Sequence, residues 1–600
     1  MPQYKAPLRD MQFVLHELLN AEQHYANLPA FKDNVSRELV DQYLDAAADF
    51  CENELSPLNQ VGDREGCQWN DGEVTTPTGF KEAYQKYIEL GFPSLAVPEQ
   101  HGGQGLPSSL ATTISEMVGA ANWAWGMYPG LSHGAVRTIE HHGSDEQKAI
   151  YLPKLVTGEW TGTMCLTESH AGSDLGIIRT KAEPNDDGSY SITGEKIFIS
   201  AGEHDMAENI IHIVLARLPG APKGTKGISL FIVPKFNVAA DGTLLDRNGV
   251  RCGSIEHKMG IHGNATCVIN FDNAKGYLIG PENRGLHCMF TFMNTARIGT
   301  AVQGLSASES SFQGALAYAK DRLAMRSLSG PKFPEKAADP IIVHPAVRNM
   351  LLTQKAFAEG GRALVYLLSQ YADIVEYGST EEERKFADNI LSLLTPIAKA
   401  FLTETGSEAA KHGVQVFGGH GFISEHGMEQ IVRDTRISCL YEGTTEIQAL
   451  DLLGRKVLQT QGAMLRDFTK IIHKFVEANK DNADMKAFIE PLAALNKEWG
   501  DLTMQIGMRA MQNPDEVGAA AVDYLYFAGY VTLAYLWARM ALVAQQKLAE
   551  GTAETEFYKA KISTANFYFK KILPRVRSHV DVIAGGLEPL MELDAEHFAF

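Results

Sequence analysis

The chain has 600 residues, 45% hydrophobic and 21% charged, a composition that excludes a disordered chain and suffices for several packed cores. Its formal net charge of −19 argues against a general affinity for nucleic-acid phosphate or anionic lipid. Seven cysteines, an odd number with no C-x-x-C pair, speak against a disulfide framework or zinc ribbon and point to a reducing compartment.

In chain order, Met1 to Asp10 lacks the long apolar segment of a signal peptide, and Glu596 to Phe600 matches no receptor-read address; a cytoplasmic location is the expectation. Residues 1–160 read as a helical domain. Glu38 to Leu55 and Gly79 to Leu90 carry apolar residues at helical spacing, and the Gly- and Pro-rich run Leu95 to Pro107 breaks the pattern. Ala111 to Ala124 and Gly130 to Glu140 read as two further helices. His141 and His142 then close a helix rather than bind a metal, because no third ligand stands near. Ser144 reads as the cap of the next helix.

Residues 161–284 switch to β periodicity. Ser189 to Ser200 reads as a strand, a Thr193–Gly194 turn and a second strand; Asn209 to Leu218, Gly227 to Phe236 and Ala265 to Phe271 are further strands. Residues 285–460 return to helices: Thr295 to Arg322, a proline-rich loop Ser327 to Pro345, Val347 to Tyr377, a third helix ending at Leu402 and a fourth from Thr405 to Val416. Residues 461–600 read as an extra helical domain with four candidate helices and no catalytic signature. Within it, Tyr524 to Ala538 is uncharged but falls short of the ~20 apolar residues a membrane span needs, so a buried helix is expected. The fold class is therefore α+β, mostly α: a helical domain, a middle β-barrel-like domain, a four-helix bundle and the added helical domain.

Two stretches carry chemistry. In Ile431 to Gln448, Glu442 follows the largely apolar run Ile437 to Tyr441 and precedes Gly443, Thr444 and Thr445. That places a carboxylate at a chain bend before a Thr-capped helix. Apolar neighbours can desolvate such a carboxylate and poise it as a base, although on this window alone a surface loop is the plainer reading. The second stretch, Thr163 to Gly176, mixes Thr, Ser and Gly where the first helical block meets the β region. It offers N–H groups and hydroxyls to a polar ligand, or forms an ordinary turn.

Taken together, Met164–Asp174 (MCLTESHAGSD), Lys196–Gly202 (KIFISAG), Gln415–Gly421 (QVFGGHG), Arg433–Ile437 (RDTRI) and Tyr441–Gln448 (YEGTTEIQ) resemble the acyl-CoA dehydrogenase family in order and spacing. Pro98–Gly105 (PEQHGGQG) fits its N-terminal domain. The extended C-terminus resembles a subgroup that includes 3-methylmercaptopropionyl-CoA and some bacterial fatty acyl-CoA dehydrogenases. The resemblance implies α,β-desaturation of an acyl-CoA thioester, FAD as cofactor, an electron-transferring flavoprotein as acceptor, and a homo-oligomer, read as a dimer. It implies Glu442 as the base, with its backbone N–H and a flavin ribityl hydroxyl polarising the thioester. The alternative base position of some members is Ala296 here, which cannot act.

For the flavin, the resemblance implies Leu166, Thr167, Phe198 and Ser200 near the ring. Phe198 stands where many members carry Trp. It further implies Arg322 at the pyrophosphate, Gln415, Gly418 and Gly419 toward a neighbouring subunit's flavin, and Thr444 and Glu446 on the adenine side; Glu446 is Gln in many members. Leu323 to Arg326 depart from the usual pattern after Arg322. Ser173, Arg297, Tyr441 and Gly443 are the implied substrate contacts, with a buried ion pair an equal reading for Arg297. Trp123, Trp125 and Met127 either shorten an acyl pocket, which would suit a short or thioether group, or belong to a core. Rival readings are an acyl-CoA oxidase, a DNA-associated alkylation-response protein, which the acidic chain disfavours, and an inactive assembly factor, which the intact Glu442 motif disfavours.

Overall fold

The computed structural model describes residues 3–599 and divides the chain into two compact units, one of Gln3–Ala6 with Tyr43–Gly299, the other of Pro7–Gln42 with Thr300 onward. Besides two small two-stranded ribbons, the first unit has a seven-stranded main sheet: β1 (Trp160–Cys165), β2 (Lys181–Pro184), β3 (Tyr190–Ser200), β4 (Asn209–Ala216), β5 (Ser229–Pro234), β6 (Val250–Ile255) and β7 (Thr266–Ile279). They form one sheet in the order β1-β4-β5-β7-β3-β2, with β6 also on β7. Only β1 and β4 pair in parallel. The long β7 joins β5 through Tyr277–Ile279 and β3 through its earlier residues. One buried cluster centres on Trp160, Ile211, Ile213 and Leu230, another on Val214, Phe231, Val233 and Ile269. The alternation of β4 and β5 residues between these clusters is the period-2 signature of strands packed on both faces.

Two expectations change here. Thr193 and Gly194 make no turn; they lie inside β3, where the register against β7 shifts on either side. Gly194 has φ +154°, and a Cβ there would stand 2.6 Å from the Thr180 hydroxyl, so the glycine permits close strand approach rather than reversal. The two helices expected between 111 and 140 are one element, α1 (Ser108–His142), broken only at Asn122 (φ −161°, ψ 91°). The Asn122 carboxamide oxygen accepts from Trp125 N–H at 3.1 Å and so caps the second segment. Trp125 is core: its indole donates to the Phe80 carbonyl, and its ring packs on Phe50, Tyr84 and Tyr87. The following helix α2 (Asp145–Thr157) carries the expected Ser144 cap as a full capping box with Gln147.

The second unit is helical among its described residues. After α3 (Gly285–Asp321), whose residues from Thr300 belong to it, come α4 (Pro345–Tyr377), α5 (Glu381–Phe417), α6 (Met428–Arg436), α7 (Thr445–Leu450), α8 (Lys486–Gln512), α9 (Glu516–Ala549) and α10 (Thr555–Phe567). The break expected between Leu402 and Thr405 is absent. α5 runs on through these residues, with the Thr403 and Thr405 hydroxyls satisfied by the Ala400 and Phe401 carbonyls rather than capping a new helix. Two glycines let the C-terminal helices touch the bundle. A Cβ at Gly360 of α4 would meet the Trp537 indole at 2.8 Å, and one at Gly529 of α9 would meet Phe401 at 2.3 Å. The apolar run Tyr524–Ala538 lies inside α9 and is buried against these neighbours.

A buried ionic network ties the termini of this unit together. Arg362 of α4 pairs with Asp10 and, at 2.8 Å, with Glu309; Lys561 of α10 pairs with Asp10 and, at 2.8 Å, with Glu359. Arg362 and Lys561 are almost wholly buried, and burial pushes the Lys561 ammonium well below its ordinary pKa. Removing one member leaves uncompensated buried charge. Lys561→Met should therefore lower unfolding stability by about 3–5 kcal/mol, read as a drop in the urea midpoint; a change under about 1 kcal/mol would mean the network is unimportant.

In the first unit, the Asp63 carboxylate 3.0 Å from the His262 ring raises the imidazole to about 9. Because this value lies above the unfolded one, the pairing stabilises the fold fully below about pH 6.5. The contribution fades as pH rises through 9. His262→Gln should cost about 1 kcal/mol at pH 6 after allowance for solvent screening and nearly nothing at pH 10, measured as the pH dependence of the thermal midpoint.

Candidate functional site

Helix α6 tightens into a single 3-10 turn, Ile437–Cys439, after which Leu440 and Tyr441 N–H both donate to the Ile437 carbonyl. The chain then reverses through two left-handed residues, Glu442 (φ 56°) and Gly443 (φ 90°). Thr444 stops the reversal: its hydroxyl accepts from Ile447 N–H at 3.3 Å and starts α7. A side chain in the left-handed region costs about 1–2 kcal/mol, so the surroundings must hold Glu442 there.

They hold it by both carbonyls. Gln448 Nε2 donates to the Glu442 carbonyl at 2.8 Å, and Lys399 Nζ of α5 donates to the Gly443 carbonyl at 2.6 Å. Lys399 and Gln448 are fully buried. The Thr445 hydroxyl donates to Glu404 of α5 at 2.7 Å, and the Tyr441 hydroxyl to Gln303 of α3 at 2.5 Å. Glu442 itself is half-buried, a carboxylate at a bend that solvent reaches only in part. A side chain at 443 would be strained at φ 90°, and its Cβ would lie 2.6 Å from Gln448 Nε2, so Gln448 would have to shift off the turn.

Elsewhere in this unit, Gln415, Gly418 and Gly419 are exposed at the end of α5, and nothing stands within 4 Å of a Cβ built on either glycine. Their bare backbone is open to a ligand. Beside them Tyr318 stacks on Phe417 with centroids 4.0 Å apart, and its hydroxyl bonds His420 at 2.8 Å. Arg322 is exposed just beyond α3. The unusual segment after it is ordered around the buried Asp339, whose carboxylate accepts from Ser327, Lys332 and Phe333 N–H groups and from Arg326. Thr444 is occupied as a helix cap, and Glu446 is exposed.

The first unit carries the other half of the candidate residues. Ile197 N–H donates to the Thr167 carbonyl at 2.9 Å, which sets Leu166 and Thr167 beside the end of β3, where Phe198 and Ser200 lie. Phe198 has φ 59° and is 59% exposed, a large aromatic face with two hydroxyl residues close by. The loop is anchored beneath by a buried pair: Lys196 Nζ donates to the Leu166 carbonyl and to Glu168, each at 2.9 Å. Glu168 also accepts from Arg179 and Thr180. Burial alone would raise the Glu168 carboxyl, but Lys196 and these donors outweigh it and hold the group below its usual range. Burial lowers Lys196. Ser173 is exposed on the same loop, and Arg297 is buried on α3. Within the first unit, an exposed aromatic ring with hydroxyl residues beside it suits contact with a planar heteroaromatic ring; within the second, open glycine backbone and an exposed guanidinium suit a phosphate-bearing ligand.

Lys399, Gln448, Lys196 and Glu168 escaped the sequence analysis as site residues. The two lysines carried one signal, charge in the wrong place: Lys399 inside the apolar run Leu393 to Leu402, and Lys196 inside a strand.

Comparison with known proteins adds to this geometry. Family models for the acyl-CoA dehydrogenase N-terminal, middle and C-terminal domains match residues 38–159, 163–274 and 283–458. A model described as acetyl-CoA dehydrogenase C-terminal like matches 468–594. A 3-methylmercaptopropionyl-CoA dehydrogenase of Ruegeria pomeroyi is 42% identical over 95% of this chain and 96% of its own. A butyryl-CoA dehydrogenase of Syntrophomonas wolfei is 36% identical over 96% of this chain and 95% of its own. A Bacillus anthracis acyl-CoA dehydrogenase solved with FAD superposes with a TM-score of 0.73 at 22% identity, covering 95% of this chain and 91% of its own, and so shares the fold.

The close approach at 443 is directly testable. Gly443→Ala should destabilise the protein by about 2 kcal/mol, seen as a lower denaturant midpoint with unchanged slope; a neutral substitution would show that the turn relaxes freely.

Proposed function

The chain belongs to the acyl-CoA dehydrogenase family, and from that premise we propose that it desaturates an acyl-CoA thioester between Cα and Cβ with Glu442 as the base. It is an oxidoreductase of the CH–CH bond, and FAD is its cofactor. The observation that carries the assignment of the base is the left-handed turn: a half-buried carboxylate held in a conformation that its own backbone disfavours. Bound FAD supplies the two-electron acceptor that the β-hydride requires and that no side chain offers.

The chain's own residues do the rest. Glu442 takes the α-proton onto a carboxylate oxygen, and partial burial keeps that carboxylate from being levelled by water. Its backbone N–H is the donor that steadies charge developing on the thioester oxygen. Leu166, Thr167, Phe198 and Ser200 meet the ring. Arg322, Gln415, Gly418, Gly419, Thr444 and Glu446 serve the pyrophosphate and adenine ends, and Ser173, Arg297, Tyr441 and Gly443 the acyl-CoA. The exposed glycines and the exposed Phe198 ring support these assignments.

For the acyl group we favour 3-methylmercaptopropionyl, on the 42% identity with the Ruegeria enzyme; with Trp125 in a core, the sequence argument for a shortened pocket loses one of its residues. The electron acceptor in this reading is an electron-transferring flavoprotein. The working assembly is a homodimer in the cytoplasm, a location consistent with seven free cysteines.

Glu442→Gln should retain FAD and bind substrate, yet fail to bleach the flavin under anaerobic conditions, with kcat reduced at least ~1,000-fold. Normal turnover would remove Glu442 from the chemistry. A thioester panel from short to long chains, including 3-methylmercaptopropionyl-CoA, identifies the acyl group, and peroxide yield under air separates this reaction from that of an oxidase.

A further inference from the structure

Lys399 is the least expected residue in the second unit. It sits on α5 among Ile397, Ala398, Ala400 and Phe401, all buried, and is itself 0% exposed. An ammonium is costly to strip of water, and a lysine kept in such a place is working for something nearby. Its Nζ donates to the Gly443 carbonyl at 2.6 Å, while Gln448 Nε2 donates to the preceding carbonyl, that of Glu442, at 2.8 Å. Two successive carbonyls of the reversal are thus each gripped by a buried side-chain donor, one from α5 and one from α7. Were Glu442 to leave φ 56° for an ordinary conformation, the peptide planes on its C-terminal side would swing and both bonds would break. The same rotation would redirect the Glu442 carboxylate and tilt its N–H.

We propose that Lys399, acting with Gln448, is a positioning residue for the proton-abstracting carboxylate: it locks the Glu442–Gly443 turn in the conformation from which Glu442 reaches the substrate's α-carbon. The proposal rests on Glu442 being the base. Lys399 acts here through the backbone of the turn, at the Gly443 carbonyl. Its effect is on the fraction of enzyme whose base is correctly placed, so it should move kcat and proton abstraction far more than substrate affinity.

The test uses the FAD-loaded enzyme and a 3-thiaacyl-CoA, whose β position is sulfur and has no hydride to give. Exchange of its α-protons in D2O, followed by NMR, reports proton abstraction without turnover. Lys399→Met should slow exchange and, with a normal substrate, kcat by about 100-fold, with KM changed less than about threefold. FAD content and thermal midpoint should stay near those of the parent. Lys399→Arg, which restores a donor and a charge, should recover most of the loss, and Gln448→Met should slow exchange about tenfold.

Exchange in folded Lys399→Met within about twofold of the parent would overturn the proposal. So would a defect confined to folding or FAD retention in all three variants. If only Lys399→Met fails to fold, Gln448→Met and Lys399→Arg decide in its place. Glu442→Gln in the same assay separates the two levels: continued exchange would remove the base itself, whereas lost exchange beside a normal Lys399→Met would remove only the positioning role.

Discussion

A carboxylate cannot be placed by its own backbone when that backbone prefers another conformation, and the functional reading of this protein depends on how the Glu442–Gly443 reversal is held. Glycine at 443 accepts φ 90° at no steric cost; Glu442 at φ 56° does not. The difference is met by neighbours: Gln448 and Lys399 on the two carbonyls, the Thr444 cap that starts the next helix, and Thr445 reaching Glu404 on α5. The reversal is thereby tied to a 37-residue helix, a rigid support that a free loop lacks.

The first unit solves the same problem with different chemistry. The loop after β1 packs Leu166 and Ala171 into the same core as α1, and a buried ion pair fixes its polar side. Lys196 reaches across to the Leu166 carbonyl and to Glu168, and Glu168 in turn collects the N–H groups of Arg179 and Thr180. One lysine and one carboxylate therefore join β3, the loop after β1 and the start of β2. A pair of this kind adds little net stability, but removing one member is costly, which makes it a device for one specific loop geometry.

The block after residue 460 is part of the second unit's core. Trp537 donates to the Ala356 carbonyl at 3.2 Å, and the charge network of Asp10, Glu309, Glu359, Arg362 and Lys561 links the N-terminal helix Leu8–Gln12, α3, α4 and α10. The bundle that carries Glu442 thus shares its interior with the helices that follow it.

Periodicity and local chemistry were enough to place most elements, the Ser144 capping box, the Thr444 cap and the bend at Glu442, because each depends on residues within a turn or two of one another. The motif set was enough to identify the family. What sequence could not decide were features set by contacts distant along the chain. Thr193–Gly194 looks like a turn until Thr180 is seen pressing on the glycine. Leu402 to Thr405 looks like a helix end until the threonine hydroxyls are seen satisfied and Gly406 is seen 2.5 Å from the Gly304 carbonyl at its virtual Cβ. Trp125 could be pocket or core until its aromatic neighbours are in place. Above all, sequence offered Glu442 as a carboxylate at a bend. Only the tertiary structure showed what holds that bend, because Lys399 lies 44 residues away along the chain and a hydrogen bond between them exists only once α5 and the turn have packed together.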